Sequence, residues 1–195
     1  MTRKPTNRDK ILESGLRVVH EFGYNGSSVR DIVEAAGVPQ GSFSNHFASK
    51  ESFGLEILDM YFAARQDLMR RTLLDSSQSP LARLRAYVSQ LTTAVVEDDM
   101  RSGCMLGNMS TDAAQHSDLI RARLAAIYQE VQAALESCLR EAKRKKELPA
   151  SLDIATTAGF INSGLQGAFA VARVERTTKS MEDFASMLFG VVLRC

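Results

Sequence analysis

Residues 27–50, SSVRDIVEAAGVPQGSFSNHFASK, decide the fold. Val29, Ile32, Val33 and Ala36 recur at i, i+3, i+4 and i+7, the spacing of one buried helical stripe. Ser28, with Asp31 three residues on, has the form of a capping box that starts this helix. Gly37 supplies the left-handed residue that ends it. Pro39 can open the next helix, because its missing N–H would be unpaired in a first turn anyway. Phe43 and Phe47, four apart, turn inward from that second helix, and Ser49 caps a long third one starting at Lys50. The stretch reads as two short helices joined by a tight glycine turn, with a long helix behind them.

Working outward, helical periodicity continues almost everywhere. Ile11, Leu12, Leu16, Val19 and Phe22 make the apolar stripe of a first helix over residues 7–22, stopped by Gly23. Downstream, helices are expected over residues 50–74, 81–96, 105–114, 117–146, 152–174 and 180–193, separated by polar or Pro-containing breaks such as DSSQSP and EDDMRSG. No sustained period-2 alternation occurs, so the fold class is all-α with about nine helices. A boundary near residue 50 divides a three-helix N-terminal domain, 1–50, from a larger helical domain, 51–195, and the long fourth helix bridges it.

Bulk properties narrow the class without naming a function. Hydrophobic residues are 45% and charged residues 24% of 195, and the net charge is +1, so any basic surface is local. Residues 1–50 hold seven Lys/Arg against five Asp/Glu. The N-terminus has charge but no apolar stretch behind it, and no run of roughly 18 apolar residues suggests a membrane span. Cys104, Cys138 and Cys195 are an odd number without metal-type spacing, which fits free thiols in a reducing cytoplasm. His20, His46 and His116 also lack ligand spacing, so neither a metal site nor a cofactor is expected. KRKK at 143–146 reads as a solvated cap at a helix C-terminus.

The polar positions of the second short helix carry the chemistry. Opposite Phe43 and Phe47 lie Gln40, Ser42, Asn45 and His46. Gln and Asn can pair with adenine through two hydrogen bonds, and Ser and His reach bases or phosphates. Gly41 lets backbone approach a sugar-phosphate wall. Ser28 can offer its N–H and hydroxyl to a phosphate at a helix N-terminus, and Arg30 can reach guanine. Lys50, with Arg3 and Lys4 in the N-terminal arm, adds candidate phosphate contacts. These local features fit a helix-turn-helix DNA reader, and they also fit a small helical subdomain with a polar surface.

The stretch from Asn7 to Phe53 resembles the N-terminal domain of the tetracycline-repressor (TetR) family. The match lies in Phe22-Gly23-Tyr24, Ser28-Val29-Arg30-Asp31-Ile32, Ala36-Gly37-Val38, Gly41-Ser42-Phe43, His46-Phe47 and Ser49-Lys50-Glu51. The resemblance covers about a quarter of the chain. It implies base and phosphate contacts at Ser28, Arg30, Gln40, Gly41, Ser42, His46 and Lys50. It also marks a departure: where the family usually has an aromatic residue, most often Tyr, bracing the DNA backbone, this chain has Ser44. Asn45 falls where relatives vary with the operator.

The resemblance further implies a homodimer on double-stranded operator DNA, with the last two helices packed against their copies, and an inducer pocket within helices 4 to 8. Gly159, Ser163, Gly164, Gly167 and Ala168 give small residues at helical spacing there, and Phe160, Ile161, Leu165, Phe169, Phe184, Met187, Leu188 and Val191 give apolar area that also suits a monomer core. Met60, Tyr61, Met69, Met100, Met105 and Met109, with Phe160 or Phe169, are candidate pocket residues or ordinary core. Cys104 stands at an expected helix start, where a thiolate is favoured, with Gly103 leaving access and Arg101 adding charge. The GCxLxxxxS stretch resembles the branch of the family that includes the N-ethylmaleimide-reductase repressor, in which a cysteine at this point senses electrophiles or oxidants. A thiol enzyme is the competing class. It lacks a Ser/His/Asp set, a phosphate-binding glycine loop and a base partner for Cys104 in the sequence. The expectation is therefore a non-enzymatic transcriptional regulator, a repressor released by an unknown small molecule or electrophile.

Overall fold

The computed structural model describes residues 4–194. Among them every regular element is helical: α1 (Asn7–Phe22), α2 (Val29–Ala35), α3 (Ser42–His46), α4 (Lys50–Arg71), α5 (Pro80–Glu97), α6 (Met105–Asp112), α7 (Asp118–Arg144), α8 (Ile154–Glu175) and α9 (Lys179–Met187), the last running into a π-helical turn over Leu188–Val192. No described helix is long and apolar enough to cross a membrane. Arg3 and Cys195, both singled out in the sequence, lie outside the described residues. The chain forms two compact units, residues 1–63 with 104–125, and residues 64–103 with 126–195. This grouping differs from a division at residue 50, because α6 and the start of α7 fold with the N-terminal helices.

In the first unit, local chemistry sets the helix ends. Thr6 and Asp9 form a reciprocal capping box at α1, and Ser28 and Asp31 form another at α2. At the end of α2, Gly37 takes φ 62°. The Gly37 N–H donates to the Glu34 carbonyl at 3.0 Å, and the Val38 N–H donates to the Val33 carbonyl at 3.1 Å. These two bonds make a complete Schellman motif. Ser49 and Ser52 exchange backbone-to-hydroxyl bonds of 3.1 and 3.0 Å at the start of α4. Pro39 does not open α3. Its carbonyl accepts the Ser42 N–H at 2.8 Å, so it shapes a turn and the helix begins three residues later. Phe22 also departs from its expected place in the stripe, since α1 ends there and leaves the ring 62% exposed.

The core of this unit is aromatic. The rings of Phe43, Phe47 and Phe53 lie 5.1 to 5.4 Å apart. Gly15 makes room for them: a Cβ there would collide with the Phe53 ring and stand 2.9 Å from Ile32. The Arg8 guanidinium sits 5.5 Å from the Phe47 ring centroid and pairs with Glu56.

In the second unit, Ile161, Leu165, Phe169 and Leu188 are buried core, while Phe160, Met187 and Val191 are exposed with Val171 and Val174. Gly164 serves an internal contact, since a Cβ there would stand 2.6 Å from the Phe184 ring. Arg83 is buried, donates 3.2 Å to the Leu73 carbonyl and pairs with Glu141. That pairing, together with Lys145, holds the Glu141 carboxyl down at about 2. Lys143 of the basic run donates 2.9 Å to the Leu152 carbonyl, in the segment ahead of α8, so it ties this connection rather than capping α7.

Two outcomes test this description. Gly37→Ala should destabilise the fold by about 1 kcal/mol, because an L side chain strains the left-handed position, as read by the midpoint of urea unfolding. The second concerns acid. A Glu in an unfolded chain titrates near 4.3, so a folded value of about 2 adds stability at higher pH that is lost as pH falls from about 5 toward about 2. Glu141→Gln should flatten that part of the stability–pH curve; an unchanged slope would remove this residue from the acid response.

Candidate DNA-binding surface and thiol site

The aromatic cluster fixes which side of α3 faces outward. Phe43 and Phe47 are buried, whereas Gln40, Gly41, Ser44, Asn45 and His46 are exposed, and Arg30 stands exposed on α2. Ser42 was expected in this outward row but is only 8% exposed, as the first residue of α3 turned against the core. Ser44 donates its hydroxyl to the Gly41 carbonyl at 3.1 Å, so this short side chain folds back on its own helix.

Two expected phosphate contacts are already engaged. The Ser28 N–H and hydroxyl both donate 2.7 Å bonds to the Asp31 carboxylate, and these bonds hold that carboxyl below its usual range. What the N-terminus of α2 still offers is the N–H groups of Val29 and Arg30, which have no acceptor within a helix. The Lys50 ammonium donates to the Tyr24 carbonyl and lies 4.4 Å from the Tyr24 ring centroid. Burial draws its pKa below the usual lysine range, against the opposing pull of Asp112 and Asp31. Lys50 thus braces the turn after α1. Asp112, at the end of α6, braces the same turn by accepting the Asn25 N–H and side-chain amide, both at 2.7 Å.

Cys104 is the N-cap of α6, as its place in the sequence suggested. Its surroundings differ from the expectation. The thiol is 4% exposed. Beside Gly103 stands Arg173, whose Cδ lies 3.4 Å from where a Cβ on that glycine would be. The Arg101 charge is paired with Asp99 at 3.2 Å. The structure instead supplies a partner the sequence did not identify as one: the Tyr61 hydroxyl lies 3.9 Å from the Cys104 sulfur and accepts the Met105 N–H at 3.4 Å. The His20 ring packs edge-on against Tyr61, centroids 5.3 Å apart. Tyr61, Cys104 and Met105 therefore come together in the first unit. Phe160 does not join them; it belongs to the second unit, stacked on Phe184 and 45% exposed. Cys138, in the second unit, donates its thiol to the Pro80 carbonyl at 3.2 Å and is pushed up by burial to about 11.

Comparison with known proteins places this arrangement. The model described as bacterial regulatory proteins of the tetR family matches residues 11–57, and that of the tetracyclin repressor-like C-terminal domain matches residues 80–188. The chain is 34% identical over 193 residues to the HTH-type transcriptional repressor DhaR of Mycobacterium sp. strain GP1, covering 99% of this chain and 95% of that one. It is 24% identical over 185 residues to the HTH-type transcriptional repressor NemR of Escherichia coli K12, covering 95% and 93%. The crystal structure of a regulatory protein TetR from Rhodobacter sphaeroides superposes with a TM-score of 0.89 at 30% identity, covering 93% of this chain and 96% of that one. With the helix-turn-helix, the outward row of α3 and both halves of the chain matched, this protein belongs to the TetR family of bacterial transcriptional regulators.

Proposed function

We propose that the chain is a homodimeric repressor whose α2 and α3 read a near-palindromic operator and which leaves DNA when Cys104 is modified or a small molecule binds. The observation that carries this reading is the exposed row Gln40, Ser44, Asn45 and His46 on a helix whose other face is locked by Phe43 and Phe47. Arg30 supplies the charged base contact, and Gln40 and Asn45 the amide contacts. Ser44, lacking a ring, gives up a backbone brace, so specificity falls more heavily on Arg30 and the amides. Two such readers must sit about 34 Å apart to meet successive major grooves. The exposed apolar residues Phe160, Val171, Val174, Met187 and Val191 support a second copy at α8 and the chain's C-terminal turn.

The thiol reading rests on Tyr61. The Tyr61 hydroxyl lies beside the sulfur, and the sulfur stands at the N-cap of α6, so an electrophile that reaches Cys104 meets both. Alkylation would add atoms to a residue that is 4% exposed and has Tyr61 beside it, displacing Tyr61 and the first turn of α6. Asp112 at the other end of that helix holds the turn before α2, which gives the displacement a route to the reader. A few kcal/mol of differential affinity suffices to shift such an equilibrium.

A gel shift on DNA from beside the protein's own gene, with and without N-ethylmaleimide, tests both halves. Arg30→Ala should weaken specific binding by about 1–3 kcal/mol; a loss that is equal on unrelated DNA would make Arg30 a phosphate contact only. Cys104→Ser should bind DNA like the parent and stay bound after N-ethylmaleimide. Release of the serine variant would end the thiol reading and leave the operator reading standing, whereas the absence of any sequence-specific shift would end the latter.

A further inference from the structure

Residues 35–49, AAGVPQGSFSNHFAS, contain no Lys, Arg, Asp or Glu, although 24% of the chain is charged. The stretch covers the turn before α3, the whole of α3 and the residues leading to α4. Of the cations nearest to it along the chain, Lys50 donates to the Tyr24 carbonyl, and Arg30 stands exposed on α2. α3 therefore lacks both ionic pairings of the major groove, an Arg or Lys on guanine and a carboxylate on cytosine. What it presents is amides. Gln40 and Asn45 are exposed, and each can bond adenine through N6 and N7. The His46 ring, at the last position of α3, lies edge-on to Phe47 with centroids 6.4 Å apart.

Gly41 adds a second feature to this face. It precedes α3 with helical angles, φ −65° and ψ −13°, which any residue adopts. No atom among the described residues lies within 4 Å of where its Cβ would be. Neither the backbone nor the packing around it requires a glycine, and alanine would favour the helix. Ser44, three residues on, folds its hydroxyl back to the Gly41 carbonyl at 3.1 Å. Gly41 and Asn45 are four apart, so the missing Cβ lies on the side of the helix from which the short Asn45 amide projects. A low wall at this point lets α3 sink into a groove until that amide meets a base edge.

Building on the operator reading, on which this assignment rests, we propose that α3 enters the major groove at close range through Gly41 and reads A·T pairs with Gln40 and Asn45, so that the guanine recognised in each half-site is confined to the position under Arg30. Recognition is divided between the two short helices: α2 reads the G·C pair, and α3 reads the A·T pairs.

Selection of bound duplexes from a randomised pool by the full-length protein, followed by sequencing, tests this division. The parent should enrich half-sites holding both a G·C pair and A·T pairs. Arg30→Ala should relax the G·C position, and Gln40→Ala and Asn45→Ala should relax A·T positions, each by about tenfold in base preference. Gly41→Ala should unfold at an unchanged or higher urea concentration and yet bind the parent's selected duplex about tenfold more weakly. Guanine fully retained by Arg30→Ala, relaxation of a G·C position by Asn45→Ala, or a Gly41→Ala variant that is destabilised or binds undiminished would overturn the proposal and leave the operator reading standing. A pool in which no sequence is enriched would overturn both.

Discussion

The contact on which the DNA-reading unit depends is the Phe53 ring lying over Gly15. Phe53 belongs to α4 and Gly15 to α1, so a missing side chain on one helix admits a whole ring from another. Phe43 and Phe47 close on that ring from α3. Burying an aromatic side chain contributes roughly 1.5–3 kcal/mol, and three together outweigh the weak intrinsic helicity of a five-residue α3. The orientation of α3 is thus set by its apolar side. Its polar side takes no part in that packing, which leaves Gln40, Asn45 and His46 exposed.

The same economy governs the polar groups around it. Donors that look available in the sequence are in several cases spent on holding the scaffold: Ser28 on Asp31, Lys50 on Tyr24. A capping box is a local, reciprocal bond pair, and the sequence announces it by spacing alone. That a cap uses up the hydroxyl it announces is a fact of geometry. Arg30, Gln40, Asn45 and His46 remain exposed beside these spent donors.

The sequence was most informative where structure is made by neighbours along the chain. The bounds of α1, the capping box at Ser28, the left-handed Gly37 and the Ser49 cap all follow from interactions spanning fewer than six residues. It was less informative where distant segments decide. Pro39 is compatible with a first helical turn, but the aromatic cluster starts α3 at Ser42 instead. Phe22 fits its stripe by periodicity and loses burial because the helix ends beneath it. The neighbour of Gly103 is Arg173, seventy residues away, and the partner of Cys104 comes from Tyr61 on α4.

The bonds from Asp112 to Asn25 have a bearing on modularity. Ser117 adds a 2.6 Å bond to Glu51, and Arg123 a 2.6 Å pair with Asp59, both from segments after residue 104 to segments before residue 63. A fragment ending after residue 63 would retain α1 to α3 and lose these three braces. The reader of this protein is therefore discontinuous in sequence. It is not a cassette that can be cut within α4, after residue 63, and grafted onto another effector domain without carrying α6 and the start of α7 along with it.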